Sequence, residues 1–316
     1  MMSPREAITT AATESLRRTA DTVERVGLDR WTVKLAGGER SPLVTVIWDK
    51  NWLRFETAPG GKDVQTPLNL EHFDRLLLDN AGLRGGAKFG LDGDSCDLLL
   101  TAEIPLHEDV DLVSRVREVC AGLRQGMIQL ACKRTEYLES QATAPNATPK
   151  DRLQEPTSAA TWRSLIDLCT EAGWPCAEHV GGRVAVRLES GGAYCRALLE
   201  SSDQTGTRVR VVLGVVRSLS EASRLASALL LLSGCRVVRL ARATIVPAED
   251  GTTYGWEVML GDEPAAEEMN CALVALSIAC RLTARELRVL EEESVAKKYL
   301  ATRGWSSLLP DRVVCS

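Results

Sequence analysis

Residues 141–160, QATAPNATPKDRLQEPTSAA, carry three prolines and no apolar periodicity. Proline fixes φ and removes a backbone donor, so such a stretch runs extended and joins cores without belonging to one. It cuts the 316-residue chain almost in half, and a chain of this length is long for one compact core. The segmentation is a domain at 1–140, a linker at 141–160 and a second domain at 161–316.

The two halves read as one plan written twice. In the first, Ser3, Pro4 and Glu6 suit a helix start, and Leu16, Thr19, Ala20, Val23 and Val26 continue at helical spacing until Gly27. The runs WTVKLA, PLVTVIW and WLRFETA follow as strands joined by GGERS and DKN. LNLEHFDRLLLDNAGL is a helix, AKFGL and CDLLLTAEI are strands, and a long helix covers about 109–140. The second half gives a helix from near Ser158 to Gly173, then strands CAEHV, RVAVRLE and AYCRALLES. A further apolar segment, RVRVVLGVV, precedes a helix capped by Ser220. RVVRLARATI and TYGWEVML are strands, and a last helix runs from about Pro264 to Ala301 with a break at Thr283. The fold class is α+β: two tandem domains, each a twisted antiparallel sheet packed with helices, in the order α-β-β-β-α-β-β-α.

Two Gly-Gly doublets, at 181–182 and 191–192, test the alternative of a phosphate-cradling loop. Such a loop needs a strand, a glycine turn and then a helix N-terminus. Here each doublet lies between strands: Val184, Val186 and Leu188 alternate with Arg183, Ala185 and Arg187. The doublets therefore read as hairpin turns.

WTVKLAGGERSPLVTVIWDKNWLRFET and CAEHVGGRVAVRLESGGAYCRALLES, with the helices from Leu70 and Ser220, carry a resemblance at the level of topology. The chain resembles the type III secretion chaperone-like superfamily, as two tandem copies. The resemblance implies no catalytic motif and no cofactor. It implies a protein that holds a partner polypeptide in extended form, commonly as a homodimer whose middle helices pair across a two-fold axis. In this chain those helices would be DRLLLDNAGL and SRLASALLLLSG, so Leu76, Leu77, Leu229, Leu230, Leu231 and Leu232 become candidates for an interface between the halves. Four consecutive leucines make the second helix apolar all round and in need of cover on both sides. Either a monomer with pseudo-dimeric halves or a homodimer satisfies this.

Composition narrows the function classes. The net charge of −5 gives no bulk attraction to nucleic acid. The longest apolar run, LASALLLLSG, is too short to span a bilayer. The ten cysteines contain no C-x-x-C pair, the closest two being Cys169 and Cys176, and the first residues are polar, unlike a signal peptide. The thiols read as reduced, mostly buried groups in a cytoplasmic protein. His72, His107 and His179 are far apart, so no metal is expected. DGDSCD, from Asp92, has aspartate where a calcium loop needs glycine and reads as a strand-to-strand turn. Ser294 and Lys297 form S-x-x-K, but within LEEESVAKK, where helical charge pairing explains them.

Candidate partner-binding residues remain. Arg183 with Arg187, and Arg208 with Arg210, each share one strand face, which would suit an acidic peptide. The plainer alternative is a solvated face paired with glutamates such as Glu189 and Glu200. Trp48 and Trp52 flank the DKN turn, where core packing competes with an aromatic binding surface. The reading is a non-catalytic protein-binding or chaperone-like protein. The alternative is an enzyme or small-molecule binder with a site between the halves.

Overall fold

The computed structural model describes residues 4–35, 43–59, 69–92, 95, 97–107, 110–140, 159–179, 182–190, 193–202, 206–216, 219–248, 251–261 and 263–309. The chain is α+β. The first half runs α1 (Pro4–Thr19), β1 (Ala20–Gly27), β2 (Arg30–Leu35), β3 (Leu43–Asp49), β4 (Trp52–Thr57), α2 (Leu70–Asn80), β5 (Lys88–Leu91), β6 (Leu98–Pro105) and α3 (Leu112–Ser140). The second runs α4 (Ala159–Glu171), β7 (Cys176–His179), β8 (Arg183–Ser190), β9 (Ala193–Ser202), β10 (Gly206–Val215), α5 (Glu221–Val237), β11 (Arg242–Ala248), β12 (Gly251–Met259), α6 (Ala266–Leu290) and α7 (Glu293–Thr302). Ser3 and most of the linker lie outside the described residues, and α4 already begins within the last two positions assigned to that linker.

Each half forms one six-stranded antiparallel sheet. The orders are β1-β2-β3-β4-β6-β5 and β7-β8-β9-β10-β12-β11, which is the same path traced twice. Each half has four strands before its middle helix, one more than the three expected. In the first half the extra strand is β1, where the spacing fits a helix through to Val26. The helix stops at Thr19, whose hydroxyl turns back to the carbonyls of Ser15 and Leu16. From Ala20 the chain pairs antiparallel with β2. In the second half the extra strand is β10, the segment RVRVVLGVV. Two further boundaries move. The last helix breaks at Glu291–Glu292 rather than at Thr283, and Arg236 and Val237 finish α5 instead of opening a strand. Thr283 stays helical because its hydroxyl donates to Ala279 and accepts from the Trp256 indole N–H, both at buried positions.

Period-two burial explains each sheet. Trp31, Val33 and Leu35 on β2 and Val184, Val186 and Leu188 on β8 are fully buried on the face that the half's own helices cover, while their neighbours point away. Asn69 caps α2 and Ser220 caps α5, each accepting the backbone N–H three residues on.

The middle helices cross over. α2 packs on β11 of the second half, α5 packs on β5 of the first, and α2 and α5 pack on each other. This reciprocity is what a two-fold dimer interface shows, here within one chain. Leu76, Leu77, Leu229, Leu231 and Leu232 are buried and Leu230 is half-buried. The crossing is close, since a Cβ on Gly90 of β5 would sit 3.2 Å from the Leu232 carbonyl oxygen and 3.3 Å from the Cys235 Cβ.

Candidate partner-binding face

Between the halves lies a buried polar joint. Asn80, the last residue of α2, treats β5 and β11 as a strand would. Its amide donates to the Phe89 carbonyl at 3.2 Å and the Ala243 carbonyl at 3.0 Å, and its oxygen accepts from the Phe89 N–H. The Cys235 thiol of α5 takes the matching place and accepts from the Ala243 N–H at 3.2 Å. Beside them, Lys88 pairs with Glu103 at 3.0 Å and donates to the carbonyls of Val238 and Ala241 in the opposite half. Arg242 pairs with Glu257 at 2.8 Å and donates to the carbonyls of Leu83 and Ala87 in the first half. All four charged side chains are at most 1% exposed. Burial pulls the Arg242 guanidinium down from its usual range, and the adjacent Glu257 carboxylate opposes this.

Trp48 and Trp52 belong near this joint. The half-buried Trp48 donates its indole N–H to the Lys50 carbonyl of its own hairpin. Trp52 carries the Arg239 guanidinium 5.3 Å from its ring centre, and Arg239 also pairs with Asp49 opposite Trp52. Both tryptophans therefore pack within the molecule.

The arginine stripe lies on the outer face of the second sheet and forms a graded charge ladder. Glu200 on β9 lies near Arg183 (3.5 Å), Arg208 (3.9 Å) and Arg210 (3.4 Å). Glu257 on β12 then lies near Arg208, Arg210 and Arg242. Side-chain exposure falls from 47% at Arg183 through 15–19% at Arg208 and Arg210 to 1% at Arg242. Desolvation pulls Arg210 down from its ordinary value, against the attraction of Glu257 and Glu200. Arg208 and Arg210 are thus neutralised within the sheet, and uncompensated charge collects toward β8.

There Arg187 on β8 sits directly opposite Arg196 on β9. Both are exposed, and among the described residues neither has a carboxylate within 4 Å. Arg187 stacks on the Tyr194 ring at 3.5 Å, and Tyr194 (61%) and Val212 (52%) are the large exposed apolar groups nearby. Directly opposed like charges destabilise a sheet, so this pair leaves a local positive potential on an acidic protein. His179 faces Arg183 at the short edge strand β7. Arg196 was not singled out from the sequence. Yet a turn centred on Gly191–Gly192 places 187 opposite 196 by counting alone.

Other candidates resolve locally. Asp92 pairs with Arg236 of α5, and Ser95 bonds to both Asp92 and Asp97 within a turn. Ser294 bonds to Glu292, and Lys297 pairs with Glu293 at 2.6 Å one helical turn away. Among the described residues no cluster of three or more histidines, cysteines or carboxylates could hold a metal, and no helix is long and apolar enough to cross a membrane. Set against family models, curated proteins and solved structures, the chain finds no match in any of the three.

Proposed function

We propose that this chain is a non-catalytic protein-binding protein whose outer sheet face in the second half holds an acidic, extended polypeptide segment. The observation that carries the reading is the exposed Arg187–Arg196 pair beside Tyr194 and Val212. A partner carboxylate between the two guanidiniums would relieve their repulsion and accept charge-assisted bonds. Tyr194 and Val212 supply the apolar contact that a salt-screened charge pair lacks. The resemblance in element order to chaperones that hold extended partners supports the same class of ligand, with one more strand in each half here. The packed joint argues against a site between the halves, because the charged groups that meet there are consumed by one another.

The test is fluorescence anisotropy with an unstructured Asp/Glu-rich 20-residue peptide carrying interspersed aromatic residues. Binding should weaken with salt, and Arg187→Glu with Arg196→Glu should lower affinity at least about tenfold, as expected when buried or partly buried interface charges are reversed. Equal binding of a Lys-rich peptide of matched length, or an unchanged affinity in the double variant, would refute the proposal.

A further inference from the structure

Four cysteines lie in two pairs, both in the second half, and each pair joins a strand to the helix covering it. Cys195 on β9 faces Leu188 of β8, toward the helices. The α6 turn bearing Cys280 is pinned beside it, because Ser277 Oγ donates to the Glu189 carbonyl at 3.0 Å. Cys195 thus lies against the α6 turn that carries Cys280, and burial first, then the neighbouring Cys195 thiol, pushes Cys280 up. In the other pair, Cys176 on β7 points its sulfur at the Ile166 carbonyl of α4, 3.7 Å away and one helical turn before Cys169 on the same helix. Each pair has one half-buried member, Cys195 or Cys176, and one buried member, Cys280 or Cys169. In the first half, Cys120 bonds to the Thr19 hydroxyl.

We propose that Cys195–Cys280 and Cys169–Cys176 are dithiol/disulfide sites that close on reaction with a small disulfide oxidant, stapling the helical layer of the second half to its sheet. The half-buried thiolate attacks one sulfur of the oxidant and expels one small thiol. The buried cysteine then attacks the mixed disulfide and expels the second. Two protein S–H bonds and one small-molecule S–S bond are exchanged for one protein S–S bond and two small thiols, so electrons and protons balance. Only the half-buried member is open to the oxidant, which fixes the order of attack. Burial, the largest cause, pushes Cys169 up to about 12 and raises Cys280 as well. The thiolate is the nucleophile, so the closing step should accelerate by roughly tenfold per pH unit between pH 7 and 9.

The experiment uses the full chain with millimolar oxidised glutathione at pH 8, followed by alkylation, non-reducing digestion and mass spectrometry. The expected products are peptides linking Cys195 to Cys280 and Cys169 to Cys176, both lost on treatment with dithiothreitol. Cys280→Ser should stop at one glutathione on Cys195, and Cys169→Ser at one on Cys176. Persistent glutathione adducts on Cys195 and Cys176 of the unsubstituted chain, free thiols throughout, or cross-links to other cysteines would each overturn the proposal. Scoring the unsubstituted chain keeps the test decisive even if a serine variant fails to fold.

Discussion

Lys88 shows how a single side chain holds two halves together. Its ammonium is fully buried, against a Glu103 carboxylate that is 1% exposed. Removing such charges from water costs several kcal/mol per ion, so the pair persists only because its remaining valences are filled. Lys88 reaches two carbonyls of the loop after α5, and Glu103 accepts the N–H of Leu240 in the same loop. Leu240 holds φ +60°, a conformation that non-glycine residues adopt only when surrounding contacts impose it. Lys88→Met should therefore lower stability in urea by about 3–5 kcal/mol, because it leaves Glu103 buried and unpaired. Adding Glu103→Leu should recover most of that loss, since an apolar pair of similar volume removes the stranded charge. A double variant no more stable than the single one would show that the carbonyl contacts, rather than the ion pair, dominate.

At the scale of elements, close approach between α3 and the loop before β5 matters most. A Cβ on Gly122 would fall 2.0 Å from the Arg84 carbonyl oxygen, and one on Gly85 2.3 Å from the Glu118 carbonyl oxygen, so each backbone occupies the other's side-chain space. That loop also presents the Leu83 and Ala87 carbonyls to Arg242. Gly122→Ala should cost about 1–3 kcal/mol through forced backbone displacement. Gly126→Ala, which meets only the movable ends of Leu100 and Phe89, should cost less in the same denaturation assay. The reverse ranking would contradict this packing. None of the contacts around Gly122 was legible in the sequence, because they join residues that no local period relates. What was legible is what local patterning controls: the antiparallel sheets, the two passes of one plan, the pairing of β8 with β9 on either side of Gly191–Gly192, which lie outside the described residues, and the Ser220 cap. β1 was missed because Thr19, Ala20, Val23 and Val26 satisfy a helical period by coincidence. Only pairing with β2 decides for strand. At the candidate face, Arg183 and Arg187 were legible as a stripe. The neutralisation of Arg208 and Arg210 depends on Glu257, from a strand far along the chain.

At the scale of the molecule, the joint has a polarity that a true two-fold dimer cannot have. Asp49, Asp74 and Asp92 of the first half meet Arg239, Arg224 and Arg236 on α5 and the loop after it. Each arginine is more than a third exposed, so each pair contributes little to stability. Their arrangement nonetheless discriminates. Two first halves would lack the arginine set and two second halves the aspartate set, so neither homodimer could form these pairs, which favours the mixed partner. Asn80 and Cys235 divide the same labour, one serving both strand edges and the other only accepting, from the Ala243 N–H and the Asn80 amide. Residues 1–140 and 141–316 produced as separate chains in one cell should therefore co-purify one to one, with neither forming its own dimer. Reversing all three arginines to aspartate should lower that association, and exchanging Asp49, Asp74 and Asp92 for arginine in the same complex should restore it. Homodimers of either half, or three reversals without effect, would mean that burial of the leucines and the Lys88 and Arg242 contacts alone selects the partner.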